Sequence, residues 1–237
     1  MKAMKGRGPR EMEGMVEYLG MFVVSCEGKK GGLMLLWKNT IEVTIQSFST
    51  GHIDSIINEG EKTWRFTGFY GNPEARRRRD SWVLMQHLAG ISELRELPWL
   101  MGGDFNEICH QNEKKGGRPR PESQMEEFRT TINACELREI YGDGDFFTWA
   151  NMRTGKDVIW EKLDRYLSNL SWRLLYPGAL AKNLKFYSSD HRALQIIWSR
   201  NGEGGRHLRS GRNKNRFRFE KCWIEEAECR GVIESVE

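Results

Sequence analysis

Trp99-Leu100-Met101-Gly102-Gly103-Asp104-Phe105-Asn106 is a short apolar run that meets two glycines and then delivers an aspartate and an asparagine two residues apart. Side chains alternate along an extended chain, so Asp104 and Asn106 can point into one cleft at the carboxyl end of the strand Trp99–Gly102. A carboxylate beside a carboxamide can orient a water and donate to a developing oxyanion. Gly-Asp and Asn are also ordinary turn residues, so the stretch takes its meaning from what surrounds it.

Upstream lie runs of strand character bounded by turn residues: Leu33–Trp37, Ile41–Phe48, His52–Ile57 and Trp64–Tyr70. Downstream are Val158–Leu163 and Ala193–Trp198. In the second of the upstream runs Ile41, Val43, Ile45 and Ser47 share one face, with Glu42, Thr44 and Gln46 on the other, the pattern of a half-buried antiparallel strand. Two helices interrupt the strands. The first opens near Pro73 and Glu74 and repeats Trp82, Met85, Leu88 and Ala89 at three- and four-residue spacing. The second starts at Ser123 with Glu126 three residues on, a capping-box spacing, and runs through Phe128 and Ile132. A shorter helix covers Leu170–Tyr176 before Pro177. Strand runs with inserted helices predict an α/β (α+β) sandwich of mostly antiparallel sheets, not a regularly alternating parallel sheet.

Composition narrows the function classes. The 237 residues are 38% hydrophobic and 30% charged, too apolar and aromatic for wholesale disorder. No apolar run approaches the roughly 20 residues of a membrane-spanning helix, and Met1–Glu13 leads into no apolar core of a secretory signal. The five cysteines, at positions 26, 109, 135, 222 and 229, have no metal-ligand spacing, which predicts free thiols in a reducing, intracellular setting and no zinc site. The net charge of +4 is concentrated: eight basic and two acidic residues fall between Arg200 and Lys221, leaving the rest slightly acidic. Smaller basic clusters lie at Arg76–Arg79 and Lys114–Arg120.

Two more segments carry chemistry. Leu163-Asp164-Arg165 closes the run Val158–Leu163, and Ser188-Ser189-Asp190-His191 precedes Ala193–Trp198. An aspartate next to a histidine can ligate a hard cation while the imidazole contacts a phosphate or moves a proton.

Taken in order, Gly102–Asn106 (GGDFN), Phe147–Trp149 (FTW), Lys162–Leu167 (KLDRYL) and Ser188–Leu194 (SSDHRAL) resemble the endonuclease/exonuclease/phosphatase superfamily. Gly28–Asn39, Thr67–Pro73 and Phe217–Trp223 resemble the endonuclease-like region of plant LINE-type (non-LTR) retrotransposons within it. The resemblance implies a four-layer αββα sandwich of two mostly antiparallel sheets and a Mg2+- or Mn2+-dependent phosphodiesterase acting on DNA, with RNA as a second candidate. It implies that Asp104 orients and deprotonates the attacking water, that Asn106 stabilises the phosphorane-like transition state, and that His191, held by Asp164, contacts or protonates the phosphate. Tyr70 would also reach the phosphate, and Asp190 would ligate the metal. Arg76, Arg77, Arg118 and Arg120 are the expected nucleic-acid contacts, and a DNA-acting protein would work in the nucleus.

The superfamily opens with a strand ending in Asn, a helix, and a strand ending in a metal-binding Glu. Here the segment from Arg10 to Gly20 resembles the helix that follows, which puts both motifs before Met1. The expected organisation is therefore an N-terminally incomplete domain at 1–199, a basic linker at 200–216 and a helical connector at 217–237. The alternative function is a catalytically inactive remnant that binds nucleic acid non-specifically.

Overall fold

The alternation of Val43, Ile45 and Ser47 with Glu42, Thr44 and Gln46 is realised as a strand whose first set is half-buried and whose second is exposed, with Ile41 just before it. The computed structural model describes residues 18–25, 32–186 and 189–198. The linker at 200–216 and the connector at 217–237 lie outside the described residues.

Fourteen strands and three α-helices follow one another along the described chain. They are β1 (Tyr18–Val24), β2 (Leu33–Lys38), β3 (Glu42–Ser49), β4 (His52–Glu59), β5 (Lys62–Tyr70), α1 (Arg78–Ala89), β6 (Trp99–Asp104), β7 (Lys114–Lys115) and α2 (Glu122–Ala134). Then come β8 (Arg138–Glu139), β9 (Gly142–Gly144), β10 (Trp149–Ala150), β11 (Trp160–Glu161), β12 (Asp164–Ser168), α3 (Leu170–Leu175), β13 (Leu180–Asn183) and β14 (Leu194–Ile197). A six-stranded sheet of order β3-β4-β5-β6-β12-β8 forms the centre. All its pairings are antiparallel except β5 with β6, whose connection carries α1.

The two faces of this sheet are covered differently. On one, α1 and α2 bring Trp82, Met85, Leu88, Phe128 and Ile132 onto Phe69, Trp99, Met101 and Leu167. On the other, α3 and the small sheet β14-β13-β9 bring Trp172, Tyr176, Ala181 and Ile196 onto Trp64, Leu100 and Tyr166. The pair β1-β2 packs against β4 and β5, and Phe22 meets Phe48 edge-on at 5.0 Å. Helix, sheet and sheet are thus three layers of the expected sandwich. The helical layer on its far side does not occur among the described residues.

The centre is pinned by a buried polar cluster. The Arg65 guanidinium donates to both carboxylate oxygens of Asp54 and to the Leu88 carbonyl of α1, while Thr67 donates to Asp54 at 2.6 Å and the Trp99 indole to Thr67 at 2.8 Å. Every charge is matched, and β4, β5, β6 and α1 are locked in one register. Removing one partner would strand a buried charge, which costs about 3–5 kcal/mol.

Three sequence expectations are corrected. The helix from Arg10 does not reach Gly20, because Tyr18–Val24 is a strand paired with β2. The second helix begins at Glu122 with Pro121 as N-cap and no side-chain cap bond, so Ser123 lies inside the first turn and the capping box does not form. The fixed proline φ sets the entry, and Gln124 and Met125 bond back to the Pro121 carbonyl. Finally, Val158–Leu163 is not one strand. The chain pairs briefly at Trp160–Glu161, breaks at Lys162–Leu163, and resumes at Asp164–Ser168 inside the central sheet.

Candidate active site

The parallel register of β5 and β6 places Tyr70 opposite Asp104, and the antiparallel register of β6 and β12 places Asp164 opposite Asp104. Tyr70, Asp104 and Asp164 therefore stand in one row across three neighbouring strands at the same end of the sheet. Gly103 makes this approach possible. Its φ is +147°, and a Cβ there would lie 2.0 Å from the Phe69 carbonyl oxygen, so only glycine allows β6 to lie so close to β5.

The chain then turns sharply. Asn106 adopts φ +54°, and its backbone N–H donates to Asp104 Oδ1 at 2.8 Å. Its side-chain Nδ2 donates to Asp104 Oδ2 at 2.8 Å and to the Gly71 carbonyl at 2.9 Å. A left-handed asparagine costs on the order of 1 kcal/mol or more, here offset by three hydrogen bonds, two to the aspartate and one to Gly71.

His191 arrives from the segment before β14. Trp149 bridges to it, and Ala150 N–H and Arg192 N–H bond to the Asp190 and Thr148 carbonyls. The hydroxyl of Thr148 accepts from the backbone N–H groups of Leu163 and Asp164, fixing the start of β12. As a result His191 Nδ1 lies 2.9 Å from Asp164 Oδ2, while Nε2 faces Asp104 Oδ2 at 3.9 Å. One ligand-capable atom from each of Asp104, Asp164 and His191 falls within a sphere where all are within 4.8 Å of one another.

The electrostatics follow from that crowding. Burial and the neighbouring Asp164 charge push the Asp104 carboxyl up to about 7, despite His191, the Asn106 N–H and Arg120. For His191 burial opposes protonation, but the hydrogen bond and charge of Asp164, with Asp104 and Asp190, outweigh it and raise its pKa. Burial and the Asp104 charge raise the Tyr70 phenol, which stays a donor, while its hydrogen bond with Asn106 acts the other way.

Asp190 stands apart from the three. It is exposed, and its Oδ2 accepts from the Trp149 indole at 2.9 Å. A carboxylate beside the cluster with an oxygen to spare is a hard donor suited to Mg2+ or Mn2+, which are commonly held through one or two carboxylates, water and the substrate phosphate. The residues present fit such an ion.

The four arginines expected at nucleic acid divide. Arg76 and Arg77 are exposed and pair locally with Glu74 and Asp80, and Arg118 is exposed. Arg120 is turned inward. Its side chain, 12% exposed, donates to the Asn106 carbonyl at 3.0 Å, to Glu107 at 3.0 Å and to Glu161. Lys114 also binds Glu161, and Arg78 binds the other oxygen of Glu107 at 2.9 Å. The basic run Lys114–Arg120 does not reveal that two buried glutamates, Glu107 and Glu161, await Arg120. Thr148 and Trp149 were present in the Phe147–Trp149 motif but had no role until the backbone bonds to Asp164 and His191 were visible.

A family model described as the Endonuclease/Exonuclease/phosphatase family matches residues 9–191. Among solved structures the chain is similar to the endonuclease domain of TRAS1, a telomere-specific non-LTR retrotransposon, with 14% identity and a TM-score of 0.57 over 76% of this chain and 79% of that one. It is similar to the AP endonuclease LMAP of Leishmania major, at 13% identity and a TM-score of 0.56 over 75% and 69% of the two chains. It is also similar to the 3′ phosphatase NExo from Neisseria bound to a product DNA hairpin, at 12% identity and a TM-score of 0.55 over 76% and 80%. No curated protein sequence matches it. These likenesses establish a shared fold.

Proposed function

The chain belongs to the endonuclease/exonuclease/phosphatase family, and from that premise we propose that it is a metal-dependent phosphodiesterase of retrotransposon origin that nicks DNA, acting inside the cell and in the nucleus. The observation that carries the proposal is the row Tyr70–Asp104–Asp164 with His191 bound to Asp164 through Nδ1 and turned toward Asp104 through Nε2. The likeness to a retrotransposon endonuclease domain and to an enzyme holding a DNA hairpin supports DNA as the substrate.

Asp104 is the general base. A carboxyl raised to about 7 is matched to proton transfer near neutral pH, where a base of ordinary acidity would be weak. The backbone and amide of Asn106 hold it, and the amide N–H that Asp104 releases on taking the proton from water becomes the donor for charge building on the phosphorus oxygens. Asp164 fixes the ring of His191, so Nε2 presents a donor to the phosphate or leaving oxygen, as a carboxylate orients imidazole in other dyads. The protonated Tyr70 phenol donates to a non-bridging oxygen. Asp190 would hold a Mg2+ or Mn2+ ion, which when bound neutralises charge on the phosphate and favours in-line attack by water. Arg76, Arg77 and Arg118 carry the salt-dependent affinity for the DNA backbone. Arg120 positions Asn106.

Nicking of supercoiled plasmid by the purified chain in Mg2+, with a chelator control, tests the proposal. Metal-dependent conversion to open circles is expected. Equal plasmid integrity with and without Mg2+ and Mn2+ would overturn it and leave a binding remnant.

A further inference from the structure

Away from the catalytic row, at the β8 edge of the central sheet, a cleft of about 560 Å³ opens between α2, β8 and α3. That is the size of a small-ligand site. Its wall carries more unpaired basic than acidic groups. The two acidic residues on its wall, Glu113 and Glu139, are already neutralised from behind by Arg165 at 3.0 and 3.3 Å, and Lys162 holds Glu139 at 2.6 Å. Two further wall residues, the exposed Arg138 and the half-buried Arg173, have no ion-pair partner among the described residues. Arg129 on the same wall is paired with Glu122, and Tyr141 is 74% exposed there, with Lys162 Nζ 5.6 Å from its ring centroid.

An exposed aromatic ring beside two unpaired guanidiniums is the donor set for one nucleotide: the ring stacks a base and the arginines take its phosphate. A base held in a duplex has no free face, so the base must be unpaired. We propose that this cleft is a second nucleotide site, separate from the catalytic row, that takes an unpaired nucleotide of a single strand. It shares no residue with Tyr70, Asp104, Asn106, Asp164 or His191, and its occupancy does not require hydrolysis.

Binding of a fluorescent oligothymidylate to the full chain, followed by anisotropy in a chelating buffer, is the test. The wild type is expected to bind the single strand more tightly than a duplex of equal length. Tyr141→Ala and Arg173→Gln should each weaken single-strand binding about tenfold, with Tyr141→Phe close to wild type and no variant melting below the wild type. Thymidine monophosphate as competitor separates the sources: weak competition assigns the site to a strand, while competition as strong as the oligonucleotide's assigns it to free nucleotides and overturns the strand proposal. Tyr141→Ala and Arg173→Gln proteins that bind the oligonucleotide as the wild type does would overturn the site itself.

Discussion

Asp104 combines two properties that pull in opposite directions. Its carboxyl is held near 7 by burial and by Asp164, so between about pH 4 and pH 7 the folded chain keeps a proton that the unfolded chain has lost. Stability therefore falls as pH rises through that window, and the full penalty is present above it. Asp104→Asn removes the penalty. In metal-free buffer it should be more stable than wild type at pH 8 by about 1–3 kcal/mol, with the difference vanishing near pH 4, as urea denaturation at the two pH values will read. The same substitution should abolish nicking, the mark of a residue retained for chemistry and not for packing. Arg120 behaves differently. Arg120→Ala leaves Glu107 and Glu161 short of a buried partner and should destabilise by about 3 kcal/mol. The slope of DNA affinity against salt should not change. Arg118→Ala, at an exposed position, should lower that slope by about one and leave stability alone.

At the scale of elements, close backbone contact decides what can be changed. Gly103→Ala would put a methyl 2.0 Å from the Phe69 carbonyl at φ +147°, forcing β5 and β6 apart. A loss of about 3 kcal/mol or more is expected in chemical denaturation, together with loss of activity, because Tyr70 and Asp104 share that register. Gly60→Ala, at φ +64° with open space around it, should cost only about 1 kcal/mol. What the sequence made legible follows the same physics. The strands around Ile41–Phe48 and Trp64–Tyr70 and the helix bearing Trp82, Met85 and Leu88 were readable because apolar periodicity reports directly on which face is buried. The central strand Asp164–Ser168 was not, since its second residue is Arg165, whose side chain is fully buried between Glu113 and Glu139. Periodicity counts such a residue as exposed. The helix start at Glu122 escaped for a local reason: Pro121 set the entry before Ser123 could cap it.

Over the whole molecule, the site is assembled from segments far apart in sequence, at Tyr70, Asp104, Asp164 and His191, and only the sheet's register brings them together. Their identities were legible as an ordered set of motifs. Their geometry was not, because it depends on Thr148 bonding to Asp164, on Trp149 bridging to His191, and on Gly103 admitting close strands. Asp190 shows the limit most plainly: its place beside His191 in sequence did not reveal that its carboxylate leans on Trp149. The central claim is that the Asp104–Asp164–His191 arrangement hydrolyses phosphodiester bonds. It is tested most directly by nicking rates in Mg2+ for the wild type beside Asp104→Asn and His191→Ala, each first shown to be folded. The account predicts metal-dependent nicking by the wild type and a loss of about 100-fold or more in each variant. Variants that nick at the wild-type rate would contradict it.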